Sequence, residues 1–247
     1  MDNQILIILF ILFVSGIVKG TTGFGFALFA LPLLAHFIPF KTLVPLLTLF
    51  NLLSSIQMII QTREFKPDKK ILWLSVAGII GTIAGTLILK FFPVLWLKIM
   101  ASFSLVVISL LFLTGYRFKV RKFRRSNIIS GMVSGFLGGS IAVSGPPLAL
   151  FLTSLNINTQ LFRVIFAWFS IITASFAFID QVKIGVVNEM VFHYLFYGFP
   201  VVFISVIIGK WLNKIVPVKM FYNAVVIITF ISGIFLFISC LKQCISL

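Results

Sequence analysis

The stretch SGIVKGTTGFGFALFALPLL, residues 15–34, sets a lysine and a helix breaker inside an apolar run. Five of the six residues of Gly20–Gly25 are glycine or threonine, and Lys19 stands immediately before them. An unbroken apolar run of about 20 residues crosses a bilayer core of about 30 Å as one helix. A break within such a run frees backbone N–H and C=O groups that hydrocarbon cannot satisfy, so it needs surrounding protein or a wet cavity. The stretch therefore calls for a folded membrane interior with something polar to hold.

The rest of the chain has the same character. Of its 247 residues 60% are hydrophobic and only 10% are charged, against about 25% charged in soluble domains. Thr42–Gln61, Ile71–Leu89, Leu95–Leu113, Phe162–Ile179, Val191–Ile208 and Met220–Cys240 read as ordinary spans. Ile5–Leu34 and Ile128–Leu155 are longer and broken by glycines. The expected fold class is an all-α integral membrane protein with six to eight transmembrane helices, two segments being Gly-broken or re-entrant. The start, Met-Asp-Asn-Gln, lacks the positive n-region of a cleaved signal peptide, and no domain outside the membrane is expected.

The net charge of +15 lies in short loops, with six Lys/Arg inside Tyr116–Arg125. Loops of this kind mark a cytoplasmic face and meet anionic lipid headgroups; nucleic acid is not an expected partner, and membrane lipids are.

A shift of 115 residues lays SGIVKGTTGFGFALFALPL over SGMVSGFLGGSIAVSGPPL. The identities are Ser15/Ser130, Gly16/Gly131, Val18/Val133, Gly20/Gly135, Gly23/Gly138, Ala27/Ala142, Pro32/Pro147 and Leu33/Leu148. The chain reads as two homologous halves, 1–115 and 128–247, joined by a basic linker at 116–127. Repeats of this kind are a mark of transporter folds. If all eight segments cross, twelve Lys/Arg fall on one side against seven on the other. If the two broken segments re-enter, the count is fourteen against five, each half has three crossings, and the halves are inverted repeats with both termini outside. The charge bias favours the second arrangement; the first stays open.

Two matched breaks point to a shared midplane site. Each starts a new helix, whose free N–H groups and partial positive charge attract anions. The candidate substrate-binding residues are Lys19, Gly20, Thr21, Thr22, Gly23 and Gly25 at the first break. At the second they are Gly138, Gly139, Ser140, Ser144 and Gly145, with Arg163 at the mouth. Glycines spaced Gly-xxx-Gly also serve close helix packing. Lys19 and Arg163 have snorkelling or edge-anchoring as their plainer roles. Asp180, Glu189, His193 and His36 are the few titratable groups near the spans. No metal-ligand spacing occurs among Cys240, Cys244, His36 and His193. GIIGTIAGT at 78–86 lacks the lysine of a phosphate-binding loop. No catalytic residue, metal or cofactor is expected.

On GIVKGTTGFGFALFALPLL, SGMVSGFLGGSIAVSGPPLALFL and the pair Phe162–Arg163, the chain resembles the TauE/SafE sulfite-exporter family over essentially its whole length. The resemblance implies a multi-pass transporter of a bacterial or archaeal inner or plasma membrane. It also implies a small anionic substrate such as sulfite or an organosulfonate. Phe24 and Phe26 stand where more glycine is expected, and the second motif ends in two prolines. Secondary transport follows, with a passive anion channel as the alternative and a homodimer left open. An intramembrane serine enzyme using Ser144 and His193 is the third reading, disfavoured because the glycines around Ser144 have a duplicated structural cause.

Overall fold

A computed structural model describes residues 2–62, 69–114, 123–155, 157–213, 215 and 218–245. Most of the basic linker, the 63–68 loop and the Cys244 side chain lie outside them. The described residues form ten helices and no strand. They are α1 (Asp2–Thr22), α2 (Phe26–Leu34), α3 (Phe40–Thr62), α4 (Lys69–Phe91) and α5 (Val94–Leu113). There follow α6 (Phe123–Ile141), α7 (Gly145–Ser154), α8 (Thr159–Lys183), α9 (Glu189–Leu212) and α10 (Val218–Ile245). Seven are long and apolar enough to cross a membrane: α1, α3, α4, α5, α8, α9 and α10. All six expected ordinary spans are among them. At about 1.5 Å per residue, α2 and α7 reach only about 15 Å and cannot cross.

Side-chain meetings fix the helix directions. Val14 and Val18 of α1 cluster with Leu33 and Phe29 of α2, and Gln4 Nε2 donates to the Phe37 carbonyl at 3.3 Å. The α1–α2 pair is thus a hairpin that returns to the end at which it began. Ser130 Oγ donates to the Pro147 carbonyl, and α7 folds back on α6 likewise. Gln181 Nε2 of α8 donates to Thr48 Oγ1 of α3, while Val164 and Ala167 cluster with Met58 and Ile59. Hence α3 and α8 are antiparallel. Helix α9 runs with α3, Gln57 Nε2 donating to the Phe203 carbonyl. Helices α4, α6 and α8 run together, Gly78 lying against Gly135 and Phe169, Gly139 against Thr82, and Thr86 against Asp180.

Glycine sets the closest of these packings. A Cβ on Gly20 would sit 2.9 Å from the Gly209 Cα, and one on Gly135 2.9 Å from the Gly78 Cα. Backbones that meet this closely gain dispersion, which replaces the hydrophobic drive that lipid cannot supply. The GIIGTIAGT segment thereby finds its role: Gly81 and Gly85 seat α4 on α6, and Gly78 makes room for Phe169 and Thr173 of α8.

One expectation is corrected here. The second break lies at Ala142–Ser144, not at Gly138–Ser140, which are helical. Phe26 and Gly145 open α2 and α7, and Phe40 and Thr159 open α3 and α8, each pair 119 residues apart. These starts are offset by four residues more than the 115-residue shift of the sequence identities. Small residues recurring every four positions keep the same helix face after a slip of about one turn, so identity alone could not choose. At 119, Gly16 pairs with Gly135, Gly20 with Gly139, and Lys19 with Gly138. Gly23 (φ 88°) pairs with Ala142 (φ 60°), and both breaks turn through a left-handed residue at the same place.

Candidate functional site

The two breaks meet. A Cβ on Gly145 would lie 3.8 Å from Gly25 N, so the starts of α2 and α7 abut. Two small cavities flank this point, each of about 10 Å3, on the scale of a single water position. One is lined by Gly25, Ala142, Ser144, Gly145 and Asn51 among others. The other is lined by Gly138, Ser144, Asn51, Thr48, Thr82 and Thr173 among others. Asn51, Ala142 and Ser144 belong to both. No charged side chain lines either cavity.

Lys19 stands one residue behind this lining and is fully buried. Its Nζ donates to the Asn51 carbonyl at 2.9 Å, to Asn51 Oδ1 at 3.4 Å and to Ser55 Oγ at 2.8 Å. No carboxylate is among these partners. Asn51 Nδ2 donates in turn to the Ala142 carbonyl at 3.3 Å, joining Lys19, α3 and the second break in one chain of bonds. Sequence reasoning missed Asn51, although an asparagine in the middle of PLLTLFNLLSSIQ was a visible signal. Lys19 does not snorkel; its amino group is held in the protein interior.

Arg163 sits beside the first break. Its Nη2 donates to the Gly20 carbonyl at 3.1 Å and to the Thr21 carbonyl. These are orphan acceptors at the C-terminus of α1, the negative end of its dipole. Arg163 Nε is buried without a hydrogen-bond partner. Gly23 permits the approach: a Cβ there would lie 2.8 Å from Arg163 Cγ.

The other candidates are placed differently. Gly20 and Gly139 pack α1 on α9 and α6 on α4. Thr21, Thr22 and Ser140 hydroxyls donate to carbonyls of their own helices, at Ile17, Val18 and Phe136. Donors spent on the preceding turn are not aimed at a ligand. The start of α7 has fewer donors than expected, because Pro146 and Pro147 carry no N–H.

The phenylalanines of the first motif line neither cavity. Phe26 is fully buried against Phe50, ring centroids 5.7 Å apart. Phe24 sits among Phe112, Phe162 and Phe166 at 5.7–6.0 Å. Ser144 and His193 belong to different regions: His193 lines a pocket with Gln4 and Glu189, at the end of α1 remote from the break. Among the described residues no His, Cys, Asp and Glu group could hold a metal ion. Cys240 packs in the core.

Antiparallel bundles of membrane-length helices, with two half-length helices whose starts abut, fit a multi-pass cell-membrane protein of the transporter type. The chain belongs to the sulfite exporter TauE/SafE family, whose model matches residues 8–236. This is a family of membrane transporters, not of enzymes. No curated protein and no solved structure matches the chain.

Proposed function

We propose that the chain is a secondary transporter, working as an exporter, of a small sulfur-containing anion such as sulfite or an organosulfonate. The anion binds near the midplane, between the starts of α2 and α7. The observation that carries this reading is the meeting of both helix starts at Asn51, Ala142 and Ser144, with the Lys19 ammonium directly behind Asn51. Helix starts and a buried cation both favour negative charge, and a lysine at membrane depth is costly unless it is used. Asn51 and Ser144 present neutral donors to the anion; Lys19 supplies the charge through Asn51 and Ser55. Arg163 holds the end of α1 and keeps an unpaired N–H beside the first break.

The antiparallel course of α3 and α8, and the return of both hairpins to their own side, support the reading as two inverted repeats. The C-terminal ends of α3, α5 and α9, at Thr62, Leu113 and Leu212, then share the cytoplasmic face, and both termini lie outside. Termini accessible to a reporter active only in the cytoplasm would overturn that orientation.

The functional test is uptake of radiolabelled sulfite into proteoliposomes. Saturation and counterflow are expected, together with inhibition by other small oxyanions. Large single-channel currents without counterflow would establish the passive-channel alternative instead.

A further inference from the structure

Helix α5 does not close on the α6–α7 hairpin. Between them runs a groove of about 480 Å3, lined by Phe103, Val107, Ile129, Val133, Leu150 and Phe151 with Ser126 and Leu137 at its ends. At the other hairpin, Val225 of α10 packs on Val18 and Phe29. The groove faces outward, Phe103 and Ile129 being 60% and 62% exposed. From Ser126 to Leu137 it follows α6 for eleven residues, about 16 Å at 1.5 Å per residue. That is close to half of the roughly 30 Å hydrocarbon core, the depth of one leaflet. Ser126 at its end follows Arg125 in the chain, which is exposed and is the last of the six Lys/Arg of Tyr116–Arg125.

We propose that this groove is a binding site for one anionic phospholipid of the leaflet on the basic side. An acyl chain fills the apolar channel against Val107, Ile129 and Phe151, and the headgroup phosphate pairs with Arg125 at its mouth. Apolar length and terminal charge together select the ligand. A neutral lipid has the chain without the charge, and soluble glycerol phosphate has the charge without the chain.

Native mass spectrometry of the full-length protein in detergent, titrated with phosphatidylglycerol, phosphatidylcholine or glycerol 3-phosphate, tests this. Phosphatidylglycerol is expected to be retained at one molecule per chain, and the other two to be lost at the same activation energy. Ile129→Trp fills the groove and should abolish retention, whereas Ile204→Trp on lipid-facing α9 should leave it intact. Arg125→Gln should weaken phosphatidylglycerol roughly five-fold, the scale of one cation at a lipid surface, and leave phosphatidylcholine unchanged. Equal retention of the two lipids, retention by Ile129→Trp, or a dimer of the chain sealed through this face would each overturn the proposal.

Discussion

Lys19 Nζ and the Asn51 backbone carbonyl are 2.9 Å apart, with Asn51 Oδ1 at 3.4 Å from the same nitrogen. An i→i−4 helical bond leaves a carbonyl one spare lone pair, and Lys19 uses it. The Lys19 amino group is thus held by neutral dipoles, with no carboxylate among its partners. Removing the charge and removing its relay should have different signatures.

Lys19→Met is expected to reduce anion transport by ten-fold or more, since a charge-assisted interaction is worth about 1.5–3 kcal/mol. Burying a methionine in place of an ammonium should leave the apparent melting temperature unchanged or higher. Transport at the parental rate would show that Lys19 is structural.

Asn51→Leu removes the amide that joins Lys19 to the second break, and leaves the Asn51 carbonyl bond available to Lys19. Transport should fall as far as in Lys19→Met. Stability should also fall, by about 1–3 kcal/mol, because the Ala142 carbonyl loses its donor in a buried setting. Thermal unfolding and sulfite flux on the same preparation distinguish the two variants.

Ala142 is the only non-glycine residue with positive φ among the described residues, at 60°. Left-handed backbone costs an L-residue about 1–2 kcal/mol. Ala142→Gly should therefore raise the unfolding midpoint, less whatever glycine adds to unfolded-state entropy. A lowered midpoint would mean that the Ala142 methyl packs more favourably than its backbone is strained.

Arg163→Gln takes away the cap on the Gly20 and Thr21 carbonyls and should destabilise the chain by about 1–2 kcal/mol. Arg163→Lys restores the charge without the planar fork and should recover part of that loss. Equal stability of all three proteins would exclude the capping role.

Gly20→Val should lower stability by about 1–3 kcal/mol or prevent folding, as its Cβ would meet Gly209 Cα at 2.9 Å. Gly185→Ala is a poor control despite open space around it, since its φ is 76°. Gly145→Ala is the useful one: its nearest neighbours stand at 3.4 Å or more, so loss of transport without loss of stability there would point to the cavity.

The breaks were legible because glycine, threonine and charge have no cheap place in an apolar span. The spans were legible from hydropathy. The second break's position was not, because a four-residue slip preserves a glycine face. Thr21, Thr22 and Ser140 looked like ligand donors in the sequence, but a hydroxyl in a helix can reach its own preceding turn, and theirs do. The part Asn51 plays was not legible because its partners lie 32 and 91 residues away in the chain.

Sequence by itself determined that this chain lies in a membrane as helices, and that two of its segments break there. The transfer cost of charged and unpaired polar groups acts residue by residue, so it can be read along the chain. Tertiary structure decided which polar groups face the meeting point of the breaks. It set Asn51 between Lys19 and Ala142, turned the threonine hydroxyls away, and gave Arg163 to the end of α1. Those outcomes depend on helix directions and on how closely glycine lets backbones approach, and these are properties of pairs of helices, not of any one segment.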